Sequence, residues 1–217
     1  MQTKWIILLI FAIITGAIIA VWILAPGLTP GGVVEDSQVI AGDAFMLVNQ
    51  SGIALPLYND ALATNPNDSV LLKKKAEALL RSGQTGESEI IYQNLLSSDP
   101  NDPEVLVRMG DFSLWNGNYT GSIAYYNSAL SIKPKNAQIL LRDGDANLLL
   151  AASQYQEQNA VVLETLDSYR RAMDDYAQAE KLDLRLSAVV SARTLAIDNY
   201  QAGGDYNSLV AALRSPS

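Results

Sequence analysis

The strongest constraint on the fold is a 34-residue period in the middle of the chain. Pro66, Pro100 and Pro134 are 34 residues apart, and each lies in a short polar stretch that contains asparagine. Between these prolines, apolar residues recur at helical spacing in two separate runs. Because proline cannot donate to a helix ladder and disfavours helical backbone in the residue before it, each proline ends a helix pair. The period therefore predicts an all-α fold of repeated helix pairs.

The copy at residues 103–136 shows the pattern most clearly. Leu106 and Met109 lie on one face of a first helix, and Gly117-Asn118 then predicts a tight turn, because both residues tolerate a left-handed backbone. A second apolar stripe follows at Ile123, Tyr126, Ala129 and Leu130. Two positions recur along the chain, a small residue at Gly42, Ala76, Gly110 and Gly144, and a tyrosine at Tyr58, Tyr92 and Tyr126.

These recurring positions resemble the tetratricopeptide repeat family. In that family a small residue lets two helices cross closely, a large aromatic follows, and a proline marks the repeat boundary. The resemblance implies an α-solenoid of about three to five helix hairpins with an irregular C-terminal third. The repeats are expected at about 35–68, 69–102 and 103–136, followed by an extended fourth repeat at 137–183 and a C-terminal cap at 184–217. Within the fourth repeat, a break in the helical pattern is predicted near Gln156–Asn159.

Residues 5–25 are uncharged and almost entirely apolar. At about 1.5 Å rise per residue, they reach about 30 Å, which matches the hydrocarbon core of a bilayer. The stretch predicts an N-terminal transmembrane helix in contact with lipid. A cleaved signal peptide is the alternative, although its apolar region is usually shorter.

The flanking charges predict an orientation for this segment. Lys4 precedes the span, and no further basic residue occurs before Lys73. Since basic residues stay on the cytoplasmic side, the N-terminus is expected in the cytoplasm and the repeat domain outside it, with the protein in the cell membrane. Residues 26–34, rich in proline and glycine, are expected to be a linker.

The composition excludes several functions of the 217-residue chain. It has no cysteine and no histidine, which removes disulfides, thiolate nucleophiles, imidazole bases and the usual zinc and haem ligands. Its net charge of −8 argues against a nucleic-acid partner. No phosphate-binding loop, dinucleotide motif or nucleophile elbow is present. The chain is therefore expected not to be an enzyme and to need no cofactor or metal.

The resemblance places candidate binding residues on the first helix of each pair, which lines a concave groove in this family. An acid recurs there in four successive repeats, at Asp43, Glu77, Asp111 and Asp145. The full set of predicted groove residues is Asp43, Met46, Lys73, Glu77, Leu80, Asp111, Leu114, Trp115 and Asp145. Such a surface would suit a protein or peptide partner, and a basic one in particular.

An alternative explanation for the acids is ordinary pairing on helix surfaces. Each of Glu77, Asp111 and Asp145 follows a basic residue by three positions, and such pairs contribute only a few tenths of a kcal/mol. Trp115 fits the core at the inter-helix turn as well as it fits the groove. Both explanations stay open on the sequence.

These observations predict a membrane-anchored, extracytoplasmic scaffold that mediates protein–protein interaction or the assembly of a complex. A chaperone-like or holdase-like peptide binder associated with protein translocation is one alternative. A secreted binding protein, if the N-terminal segment is cleaved, is another. The partner's identity and the oligomeric state are not determined by the sequence.

Overall fold

A computed structural model describes the backbone of residues 30–158 and 167–214, with side chains described for 37–155 and 167–214. Every regular element in these ranges is helical. The helices are α1 (Pro30–Leu47), α2 (Ser51–Thr64), α3 (Ser69–Arg81), α4 (Thr85–Ser98), α5 (Pro103–Trp115), α6 (Tyr119–Ile132), α7 (Ala137–Gln158), α8 (Asp167–Leu182), α9 (Ser187–Gln201) and α10 (Tyr206–Arg214), with a short 3-10 turn at Leu184–Leu186 before α9. The all-α prediction is confirmed for this part of the chain.

The described residues divide into two compact units, and the division lies within α4: unit 1 ends at Tyr92 and unit 2 begins at Gln93. In unit 1, α1, α2 and α3 pack around a core made by Ala54, Tyr58, Ala61, Leu62, Leu71 and Ala78. In unit 2, helices α5 to α10 share one larger core, to which α7 contributes the most buried side chains.

Each repeat boundary combines a helix stop with a helix start. Asp68 caps α3, and its Oδ1 accepts hydrogen bonds from the backbone N–H of Val70 at 2.9 Å and Leu71 at 3.0 Å. Asp102 caps α5 in the same way. Both caps lie two residues after a repeat proline. The polar stretches around the prolines therefore end one helix pair and satisfy the first N–H groups of the next.

The fourth helix pair departs from the others because its first helix is longer. Helix α7 has 22 residues, whereas α5 has 13. Helix α7 is described as far as Gln158, and residues 159–166 lie outside the described ranges, so the break predicted near Gln156–Asn159 stays a prediction. The extra turns of α7 carry Ala152 and Tyr155. Tyr200 of α9 packs its ring edgewise on Tyr155 and donates a hydrogen bond to the carbonyl of Ala152 at 3.4 Å.

The linker prediction is corrected at its C-terminal end. Helix α1 begins at Pro30, so residues 30–34 are helical, whereas residues 26–29 lie outside the described ranges.

The predicted location in a cell membrane is corrected as well. Among the described residues, no helix combines the length and the apolar character needed to cross a bilayer. The longest described helix, α7, carries Arg142, Asp143 and Asp145. Residues 5–25, on which the prediction rested, lie outside the described ranges.

Candidate interaction surface

The small residue of each repeat marks a close crossing of its two helices. A Cβ atom added to Gly110 would lie 2.5 Å from Cε1 of Tyr126, well inside contact distance. The equivalent distances are 2.6 Å from Gly42 to Tyr58 and 2.7 Å from Gly144 to Tyr176. The predicted crossing at Gly110 is confirmed, because the tyrosine ring lies where a side chain would begin.

The acid after each of these glycines receives the hydroxyl of the same tyrosine. Tyr58 donates to Asp43 at 2.7 Å, and Tyr126 donates to Asp111 at 2.8 Å. Tyr176 donates to Asp145 at 2.7 Å. The glycine therefore lets the ring approach, and the acid takes up the hydroxyl that would otherwise be buried without an acceptor.

A basic residue from a later first helix completes each group. Lys74 Nζ donates to both carboxylate oxygens of Asp43 at 2.7 and 2.6 Å. Arg142 Nη1 donates to Asp111 at 2.6 Å, and Arg193 Nε donates to Asp145 at 3.2 Å. We call these groups the acid–tyrosine–base clusters. Each one joins three helices.

The sequence left two explanations for the recurring acids, a partner-binding groove or ion pairs on the surface of a single helix. The clusters show which bases these acids contact. Arg108 pairs with Asp111 at 3.3 Å within one helix, as the surface-pair explanation expected. Lys74 and Arg142 instead pair with the acid of the preceding first helix. The signal was present in the sequence, since a tyrosine follows Asp43 and Asp111 by 15 residues and a base follows each by 31. We did not consider from the sequence that the hydroxyl of the recurring tyrosine would need an acceptor.

Burial raises the pKa of groups in the two clusters of unit 2. Burial, and then the charge of Asp111, raise the pKa of Tyr126 well above its usual range, so the phenol stays a hydrogen-bond donor. Burial also raises the pKa of Asp145 to about 6, although the charge of Arg193 and the hydroxyl of Tyr176 act in the opposite direction. Asp145 therefore titrates nearer to neutral pH than an exposed aspartate does.

A pair of carboxyl groups, outside the acid–tyrosine–base clusters, lies between α7 and α8. Asp143 is buried and accepts a hydrogen bond from Asn147 Nδ2 at 3.2 Å. Asp175 of α8 lies within hydrogen-bonding reach of Asp143, and burial followed by the charge of Asp143 raises the pKa of Asp175. Burial likewise raises the pKa of Asp143. Burial therefore favours the protonated form of each carboxyl group, and the charge of Asp143 adds to this effect at Asp175.

The predicted groove residues of unit 2 are mostly internal. The side chains of Asp111 and Asp145 are 2% and 7% exposed. Leu114 is buried, and Trp115 is half-buried with its ring packed edgewise on Phe112 at 5.4 Å between centroids. The acidic ladder predicted to face a partner is therefore corrected at Asp111 and Asp145, because tyrosine and arginine side chains take up both carboxylates.

The predicted groove residues of unit 1 lie at the surface. Asp43, Met46, Lys73, Glu77 and Leu80 are each partly exposed. They lie on α1 and α3, and the structure brings the C-terminal ends of these helices together. The bridging residue is Arg81, which donates to Glu77 Oε1 at 3.0 Å and to the carbonyl of Met46 at 3.4 Å. Whether a partner binds these residues stays a prediction.

Comparison with known proteins identifies the repeats. Tetratricopeptide repeat family models match residues 53–108 and 103–136. The chain contains tetratricopeptide repeats. No curated protein matches it.

Solved structures show the same fold. MamA residues 41 to the end from Desulfovibrio magneticus RS-1 is 14% identical, with 82% of this chain and 90% of that chain covered and a TM-score of 0.59. A tetratricopeptide repeat protein from Parabacteroides merdae ATCC 43184 is 18% identical, with 83% and 77% covered and a TM-score of 0.53. At these identities, the likeness is one of fold.

Tetratricopeptide repeats are a protein-interaction scaffold rather than a catalytic framework. In the part of the chain that the structure describes, no group of three acidic side chains is placed to hold a metal ion.

Proposed function

We propose that this chain is a scaffold that binds a protein or peptide partner through unit 1. The observation that carries the proposal is the contrast between the two units. Of the predicted groove residues of unit 2, Asp111, Leu114 and Asp145 are buried. Those of unit 1, on two adjoining helices, are all partly exposed: Asp43, Met46, Lys73, Glu77 and Leu80. We call these five residues the unit 1 surface.

The charges of the unit 1 surface are largely balanced. Asp43 is paired with Lys74, and Glu77 is paired with Arg81. A basic partner would have to compete with Lys74 and Arg81 for these acids. The charges of the unit 1 surface are therefore expected to orient the partner more than to increase its affinity. Apolar anchors supply the contact area, from Met46 and Leu80 and from the neighbouring Leu47, which is 89% exposed. The partner is therefore expected to bring an apolar side chain flanked by a basic residue.

A cross-linking experiment tests this surface. The chain has no cysteine, so Leu47→Cys provides a single attachment point for a photoreactive group. The matched control is Ser128→Cys, at an exposed position of α6 in unit 2. We expect a partner to be cross-linked from position 47 and not from position 128. Equal yields at the two positions would remove the assignment to unit 1.

A substitution pair then separates binding from folding. Leu80→Ser removes an apolar side chain from the unit 1 surface, and Val70→Ser removes an exposed one from the start of the same helix. We expect the cross-linked partner to be lost with Leu80→Ser and kept with Val70→Ser, while circular dichroism shows that both variants stay helical. Retention of the partner by both variants would contradict the proposal.

A further inference from the structure

A cleft of about 460 Å³ lies among α6, α7 and α8 of unit 2. Its apolar lining includes Ile123 of α6 and Leu150 of α7, which are both half-buried. Its polar lining includes an amide, Asn147, and a guanidinium, Arg171. None of its lining residues belongs to the acid–tyrosine–base clusters or to the unit 1 surface. We call this site the α7 cleft.

Asn147 leaves a hydrogen-bond acceptor unused in the α7 cleft. The residue is only 2% exposed, and its Nδ2 donates to the backbone carbonyl and to the carboxylate of Asp143 at 3.0 and 3.2 Å. Both N–H groups of the amide are thereby used, whereas no group in the described part of the chain donates to Oδ1. The same repeat position in α3 holds Leu79, a core residue. Because buried polar atoms are nearly always hydrogen-bonded, the spare oxygen points to a ligand that brings an N–H group.

Arg171 places a positive charge at the rim of the α7 cleft. The side chain is exposed, and among the described residues no carboxylate lies within ion-pairing distance of it. The acid of the cleft, Asp167, is 80% exposed and pairs with Arg170 instead. Burial raises the pKa of the nearby Asp143 and Asp175, so these groups offset less of the charge of Arg171. The guanidinium is therefore free to pair with a carboxylate of a ligand.

The walls of the α7 cleft are held in place before any ligand arrives. Ser168 of α8 is 8% exposed, and its hydroxyl donates to Gln154 Oε1 of α7 at 3.0 Å. This hydrogen bond joins two helices that both line the cleft. A preformed site loses little conformational entropy on binding, so a short segment is enough to fill it.

We propose that the α7 cleft binds a peptide segment of a partner protein in which an apolar residue lies next to an aspartate or glutamate. The apolar side chain packs on Ile123 and Leu150, a peptide N–H donates to Asn147 Oδ1, and the carboxylate pairs with Arg171. The rim is open to solvent, where Thr120 is exposed, so the peptide continues past the cleft and the carboxylate belongs to a side chain. The unit 1 surface is expected to take a basic partner, so this inference does not depend on that proposal.

The first test compares short peptides on the full chain. The probe is Ac-Ala-Leu-Glu-Ala-NH2, titrated by ligand-observed NMR, and its matched controls replace the glutamate by glutamine or the leucine by alanine. We expect the glutamine peptide to bind about threefold to fivefold more weakly and the alanine peptide about tenfold more weakly. Equal affinities for the glutamate and glutamine peptides, or no binding of the probe, would overturn the proposal. Tighter binding of Ac-Ala-Ala-Leu with a free carboxylate would overturn it too, because the carboxylate would then be a chain terminus.

The second test places the peptide in the α7 cleft. Arg171→Gln removes the guanidinium, and the control Arg185→Gln removes one that is 90% exposed and lies outside the cleft. We expect the first variant to bind the glutamate and glutamine peptides equally and the control to keep the preference of the unaltered chain. The same preference in both variants contradicts the site. Arg171→Glu should also prefer Ac-Ala-Leu-Lys-Ala-NH2 to the glutamate probe, a reversal that a structural role of the arginine does not produce. If the Arg171 variants lose helical circular dichroism, the unaltered chain decides, since it must bind the lysine peptide more weakly than the glutamate probe.

Discussion

The crossing at Gly110 offers the most direct test of how these repeats are held together. A β-carbon at this position would lie 2.5 Å from Cε1 of Tyr126, a ring that is fully buried. Moving that ring also moves its hydroxyl, which donates to the buried carboxylate of Asp111 at 2.8 Å. The substitution Gly110→Ala therefore strains both the packing and the cluster.

The magnitude follows from opposing contributions. Overpacking of a tight core costs about 1–3 kcal/mol, and a weakened hydrogen bond to a charged group costs about 1.5–3 kcal/mol if it breaks. Alanine in place of glycine inside a helix recovers about 1 kcal/mol. The equivalent position in α3 holds Ala76, which shows that a repeat can accommodate one methyl group when its helices are spaced for it. We expect a net loss of about 1–2 kcal/mol for Gly110→Ala and about 3 kcal/mol or more for Gly110→Leu.

The assay is urea denaturation followed by circular dichroism, with Gly86→Ala as the matched control. Gly86 also lies in a helix, but nothing lies within 4 Å of its added Cβ atom. We expect Gly86→Ala to stabilise the chain by about 0.5–1 kcal/mol. A Gly110→Ala variant that is stabilised as much as Gly86→Ala would refute the argument that the tyrosine ring depends on this glycine.

Two further predictions concern the buried acids. Tyr126→Phe leaves the carboxylate of Asp111 without one donor and should lower the free energy of unfolding, measured in urea, by about 1–3 kcal/mol. The control Tyr125→Phe should change it by less than about 0.5 kcal/mol. Equal losses in the two variants would show that the hydroxyl of Tyr126 does not stabilise the cluster. Burial raises the pKa of both Asp143 and Asp175, and the charge of Asp143 raises the pKa of Asp175 further, so the folded chain holds protons that the unfolded chain releases above pH about 4. The contribution of this pair to the unfolding free energy should therefore fall as pH rises from about 4 towards about 8, and Asp175→Asn should flatten that fall in urea titrations at several pH values. An unchanged slope would show that the pKa of Asp175 is not raised in the folded chain.

Local sequence patterns determined the helical fold, the helix boundaries and the close crossings. At these repeat boundaries a proline marks the end of one helix pair, and the aspartate two residues later, Asp68 or Asp102, caps the next helix. All the groups involved are neighbours along the chain. The resemblance of the recurring glycine and tyrosine positions to tetratricopeptide repeats predicted the crossing at Gly110, and both residues belong to one hairpin.

Only the tertiary structure decided which acids face solvent. Asp43 and Asp111 hold the same repeat position, yet the side chain of Asp43 is 41% exposed and that of Asp111 is 2% exposed. The difference depends on which helices cover each carboxylate, and helical periodicity carries no information about that. The same limit applies to α10, whose Tyr206 meets Tyr119 across 87 residues of sequence. Contacts at such distances arise from packing of whole helices, so the surface left for a partner is a property of the folded units rather than of any single repeat.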